Sequence, residues 1–136
     1  MSLALDTNVF VDLIRGRKAI IRQRRDRAIL AGETLLTSLI VYHELRFGVA
    51  LSRDPVGEAL NVAEVLDGVV IEPLNEDDVT AAATVRAKLR PHGSPVGPYD
   101  VLIAGQALAR GWTLVTSNAR EFSRVEGLDI QDWSQP

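Results

Sequence analysis

Five short apolar runs, Leu3–Leu5, Thr34–Ser38, Val69–Ile71, Thr113–Val115 and Leu128–Ile130, alternate along this chain with longer segments whose apolar residues recur at helical spacing. Continuous apolar runs of this length read as buried parallel strands, and parallel strands must be joined by crossovers. The alternation therefore predicts an α/β fold, an α/β/α sandwich with a five-stranded parallel sheet flanked by helices. Helices are expected near Val9–Ile14, Lys18–Ala31, Leu39–Leu51, Gly57–Leu66, Glu76–Leu89 and Asp100–Arg110, with Pro91–Pro98 as the clear loop, a rim or lid leading directly onto Asp100. At 136 residues the chain has the length of one domain spanning 1–136.

Charge narrows the function classes. The net charge of −3 argues against coating nucleic acid through overall basicity, but seven of the fifteen basic residues fall between Arg15 and Arg27, whereas Asp54–Asp78 holds eight acids and no base. The basic run is either a solvated helix face or a surface for phosphates, with Arg22, Arg24 and Arg25 the candidates to contact them. With no cysteine, a disulfide framework, a thiolate metal site and a cysteine nucleophile are all excluded. No run approaches the roughly 18 apolar residues that a membrane span needs, so the expectation is a cytoplasmic protein with no membrane association.

Three acids stand where acids are costly. Asp6 closes an apolar strand, at the carboxyl edge where open α/β sheets place their ligands, although an Asp there also makes a good helix N-cap. Glu44 falls among Ile40, Val41, Phe47, Gly48 and Leu51 at helical spacing, in the middle of an apolar stripe. Asp100 falls with Ile103, Ala104, Ala107 and Leu108 on one helix face. A buried carboxylate must neutralise, pair with a cation or bind metal, so a distant arginine for Glu44 and a helix dipole for Asp100 remain the bland alternatives. If the three acids converge, each pair at 4 Å repels by about 4 kcal/mol at an effective dielectric near 20, and something positive must lie between them. An all-oxygen site without cysteine or clustered histidine selects Mg²⁺ or Mn²⁺, the ions of phosphodiester chemistry. HELRF at His43 lacks the second histidine of a zinc protease, because Phe47 stands in its place, and no phosphate-binding P-loop occurs.

The blocks LDTNVFVDLI, SLIVYHELRFG, PYDVLIAGQALARG and TLVTSNAREFSRVEGLDIQDW, in that order from Leu3 to Trp133, resemble the PIN-domain ribonucleases, and among them the VapC toxins of bacterial toxin–antitoxin pairs. The resemblance implies a PIN-like sandwich, Mg²⁺- or Mn²⁺-dependent endoribonuclease activity on structured RNA such as tRNA or ribosomal RNA, a homodimer, and a cognate VapB-type antitoxin. It maps the catalytic, metal-binding acids onto Asp6, Glu44 and Asp100. Many members carry a further acid where this chain has Asn118, so Glu121 is the candidate to supply that charge, while Thr7, Asn8, Thr116 and Ser117 are candidate donors beside the site or simple caps. The rival readings are a PIN fold that has lost catalysis and binds RNA or a partner protein, and a nuclease acting on DNA.

Overall fold

The structure, a computed structural model, describes residues 1–93 and 96–136. Its described residues form a five-stranded sheet of β1 (Ser2–Leu5), β2 (Thr34–Ser38), β3 (Val70–Glu72), β4 (Thr113–Val115) and β5 (Asp129–Gln131), every pairing parallel, in the order β3-β2-β1-β4-β5. The chain steps outward from β1 to β3, then crosses back to lay β4 on the other side of β1. That reversal opens a crevice between the carboxyl ends of β1 and β4, the place where open parallel sheets bind ligands.

Helices α1 (Thr7–Arg15), α2 (Ala19–Leu30), α3 (Leu39–Leu51), α4 (Pro55–Val65), α5 (Glu76–Leu89), α6 (Pro98–Arg110) and the one-turn α7 (Ala119–Phe122) flank the sheet. The core joins Leu3, Leu5, Leu36, Leu114 and Val115 of the inner strands to Phe10, Val41, Val101, Ala104 and Phe122 of the helices. All five expected strands and six expected helices are present, with ends moved by one to two residues. α7 and a 3-10 turn at Arg90–His92 were not expected, being too short to show a period. Of the expected loop Pro91–Pro98, residues 94 and 95 lie outside the described residues, Pro91 and His92 belong to the 3-10 turn, and Pro98 already opens α6, where a proline lacking its N–H is tolerated.

One expectation needs correcting. The buried stripe of α3 is Val41, Leu45 and Val49, whereas Phe47 and Leu51 are 58% and 69% exposed and Gly48 also faces solvent. α3 carries apolar residues on two faces, only one of which meets the core, and periodicity could not choose between them. Glu44 therefore flanks the buried stripe instead of lying in its middle.

α5 and α6 pack at unusually short range. A Cβ built on Gly105 of α6 would lie 2.4 Å from the backbone nitrogen of Ala82 on α5. The far end of α6 is clamped. Arg110 donates to fully buried Asp78 through Nε at 3.0 Å and Nη2 at 2.8 Å, donates to the Pro73 carbonyl at 3.0 Å, and lies over the Trp112 ring. Burial works to raise the Asp78 carboxyl, but the Arg110 guanidinium and the Asn75 backbone N–H override it and hold the group below the usual range. Buried Gln106 adds two more ties, from Nε2 to the carbonyls of Glu72 and Pro73. Gly111, at φ 68°, then takes the left-handed turn that ends α6 and starts β4.

Two glycine substitutions should separate in sign. Gly105→Ala drives a methyl into the Ala82 backbone and should destabilise by about 1–3 kcal/mol. Gly48→Ala, on an exposed helical position with nothing within 4 Å, should stabilise by about 0.5–1 kcal/mol. Urea unfolding measures both, and a neutral Gly105→Ala would contradict the close α5–α6 approach.

Candidate active site

Asp6 leaves β1 at the crevice, its backbone N–H bonded to the Val115 carbonyl at 2.9 Å, so the ends of β1 and β4 are joined there. Its side chain caps α1, Oδ1 accepting from the Thr7 N–H at 2.8 Å, while Oδ2 accepts from Thr116 Oγ1 at 2.8 Å and from Asn8 Nδ2 at 3.2 Å. The capping role and the site role thus coexist in one carboxylate. Around it, Thr116 Oγ1 accepts from the Asn118 N–H and from Asn8, and Asn8 Oδ1 accepts from the Ser117 N–H, so neutral donors stitch the start of α1 to the end of β4. Asp6 is 4% exposed, and burial raises its pKa further than the bonds from Thr116, Thr7 and Asn8 lower it, with the Glu121 charge adding to the rise.

Glu44 reaches the same region from α3. It is partly buried, and its Oε1 accepts from Thr7 Oγ1 at 3.1 Å. Burial raises its pKa, the Thr7 bond and neighbouring His43 work against the rise, and the Asp6 charge works with it. Asp100, in the first turn of α6, is the most perturbed. Burial and then the charges of Asp6, Glu121 and Glu44 push it from the ordinary 3.8 up to about 7. Glu121, on α7, is held by the Gly97 N–H at 3.1 Å and by the Asn118 side-chain amide. Asn118 therefore offers its donor to Glu121, and Glu121 is the fourth acid whose charge acts on the cluster.

The candidates divide cleanly. Asp6, Glu44, Asp100 and Glu121 come together from four elements, with Thr7, Asn8, Thr116, Ser117 and Asn118 bonded around them. Arg22, Arg24 and Arg25 lie on α2, donating to the Leu13 carbonyl, the Gln135 carbonyl and Asp26 respectively, and none is among the groups whose charge acts on the acids. Two rings that the sequence reading passed over as site residues, His43 and Tyr99, touch each other at 5.4 Å between centroids. Their only sequence signal is adjacency to Glu44 and Asp100.

The donor set suits a hard divalent cation. The acids disfavour each other's charged forms, and a cation would relieve that. Among the described residues, no group of three or more acids or imidazoles stands close enough to form a ready-made cage. Mg²⁺ does not require one, since it keeps several waters and binds through one or two carboxylates plus substrate phosphate.

Comparison with known proteins places this geometry. The family described as "PIN domain" matches residues 3–128. The chain is 38% identical to the tRNA(fMet)-specific endonuclease VapC of Shigella flexneri, over 98% of this chain and 99% of that one. Among solved structures it is similar to VapBC2 from Rickettsia felis bound to a DNA fragment from their promoter, at TM-score 0.90 and 27% identity, covering 96% of this chain and 98% of that one. DNA-bound VapBC from Salmonella typhimurium superposes at TM-score 0.89 and 32% identity, covering 98% of each chain.

A raised carboxylate pKa has a definite sign for stability. The folded protein holds the Asp100 proton more tightly than the unfolded chain, so the contribution of Asp100 is fully present below about pH 3.8 and is lost as pH rises through about 7. Asp100→Asn, neutral at every pH, should leave metal-free stability nearly unchanged at pH 4 and raise it at pH 8. After discounting for solvent screening at this partly exposed group, the gain is about 1 kcal/mol, or roughly 3–5 °C in Tm. Thermal unfolding at the two pH values in chelator checks it, and a gain equal at both would refute the assignment.

Proposed function

The chain belongs to the PIN-domain family and, within it, to the VapC ribonucleases; from that premise we propose that it is a Mg²⁺- or Mn²⁺-dependent endoribonuclease, the toxin of a toxin–antitoxin pair, that cuts tRNA. The observation that carries this reading is the convergence of Asp6, Glu44, Asp100 and Glu121 at the sheet's crevice, where each raises or is raised by another's charge. Asp6, Glu44 and Asp100 would hold the cation, with Glu121 adding negative potential. When bound, such an ion supplies a lowered pKa to an attached water and counter-charge for phosphoryl oxygens.

The chain's own residues provide the rest. The bonds from Thr116, Asn8 and the Thr7 N–H fix both Asp6 oxygens, and the Thr7 hydroxyl fixes one oxygen of Glu44, so the carboxylates are oriented before any ligand arrives. Water adds at phosphorus in line with the departing 3′ oxygen, which takes up a proton, leaving 3′-hydroxyl and 5′-phosphate ends. The first substrate to test is initiator tRNA, because the Shigella flexneri relative is described as specific for it. Like the relatives solved as VapBC complexes, this chain would have a VapB-type antitoxin as partner, and exposed Phe47, Leu51, Val56 and Leu60 on neighbouring α3 and α4 supply apolar surface that a protein partner would cover.

The test is cleavage of initiator tRNA and total RNA with Mg²⁺ or Mn²⁺, with chelator, and with Asp100→Asn. Cutting should vanish in chelator and fall at least about a hundredfold in the variant, reflecting several kcal/mol of lost transition-state stabilisation. Cutting undiminished by chelator, or products ending in a 2′,3′-cyclic phosphate, would overturn the reading. RNA binding without any cutting by a folded, antitoxin-free protein would favour the binding-module rival.

A further inference from the structure

We propose that Tyr99 and His43 form a stacking platform for an unpaired nucleobase of the RNA, beside the bond that is cut. The inference rests on the ribonuclease reading and adds to it the residues that hold the substrate. Tyr99 stands in the first turn of α6, immediately before Asp100, and His43 stands on α3, immediately before Glu44. Consecutive helical residues diverge by about 100°, so each ring flanks its neighbouring carboxylate without covering it. The rings meet at 5.4 Å between centroids with planes tilted by 57°, bridging the two helices that carry two of the acids. Tyr99 is 48% exposed and His43 is exposed, so ring surface remains open to solvent at the rim of the acid cluster.

Electrostatics explains what such a surface is for. The cluster is acidic: Asp6, Glu44, Asp100 and Glu121 disfavour one another's charged forms. A bound cation would counter the charge of the phosphate it meets, but a base beside the cluster gains nothing from the carboxylates and is best held by a contact that does not depend on opposite charge. Base stacking on an aromatic ring meets that need whatever the base, since every base has a π-face. It also requires the base to be splayed from its stack, which selects loops and single strands over duplex. The platform therefore makes binding partly insensitive to salt and selective for unpaired RNA.

The experiment uses the full chain in an Asp100→Asn background with Mg²⁺, so that the RNA survives, and single-stranded RNA oligonucleotides carrying 2-aminopurine at each position in turn. Tyr99→Ala should weaken binding about tenfold, leave the salt slope unchanged and abolish the fluorescence quenching seen at one position, whereas Tyr99→Phe should keep both affinity and quenching. With Asp100 restored, Tyr99→Ala should raise KM about tenfold and change kcat by less than about threefold. Unchanged affinity and quenching in a Tyr99→Ala protein with parental thermal stability would overturn the proposal. So would a variant whose sole change is its mass by light scattering, since that would assign the rings to contact with a second copy. If the parent neither binds nor cuts RNA, the ribonuclease reading itself fails, whereas a parent that cuts while Tyr99→Ala behaves identically sinks the platform alone.

Discussion

Everything at the working end of this molecule hangs on a buried carboxylate held by neutral donors. Asp6 sits where the strand order of the parallel sheet reverses, at β1 beside β4, and its oxygens take up the N–H that starts α1, the hydroxyl that ends β4 and the Asn8 amide between them. A cationic partner would have stabilised the acid and consumed its charge. Hydroxyl and amide donors orient it while leaving the charge available, and burial pushes its pKa upward in consequence. The crevice is thereby preorganised around an acid that is unsatisfied electrostatically though satisfied in hydrogen bonds.

The contrast with Asp78 shows that the fold can pair a buried acid when pairing is wanted. Asp78 is fully buried, receives a bidentate Arg110 and keeps a depressed pKa. Asp100, on the same helix as Arg110, is raised to about 7 by burial and by the charges of Asp6, Glu121 and Glu44. One end of α6 is thus built for stability and the other carries electrostatic strain. Perturbed carboxylates gathered in a crevice are what functional sites look like, and here the perturbation has a named cause in each case.

The sheet and the main helices were legible because strand and helix periods differ and the segments are long enough to display them. Asp6 and Asp100 were legible as misplaced acids, one at a strand end and one on a buried helix face. Glu44 was found by an argument that was partly mistaken, since α3 is apolar on two faces and the acid borders the buried one. Glu121 could be named only through resemblance, because its role depends on Asn118 and the Gly97 N–H reaching it across the fold. α7 was too short to show a period, and the His43–Tyr99 contact joins residues far apart in sequence, which no local pattern encodes.

The clamp on α6 has a mechanical consequence. Arg110, Gln106 and Gly105 fasten the carboxyl-terminal half of the helix to α5 and to the end of β3, whereas Asp100 and Tyr99 ride on its opposite end. α6 is tied by hydrogen bonds at its root and carries its working groups near the other end, where Val101 and Ala104 pack it into the core. Where that end sits is then decided in good part by the root, about ten residues away, while Gly97, in the chain that leads into the helix, holds Glu121 through its backbone N–H. A change at the root, remote from any substrate, is therefore transmitted along the whole helix to the acid it carries.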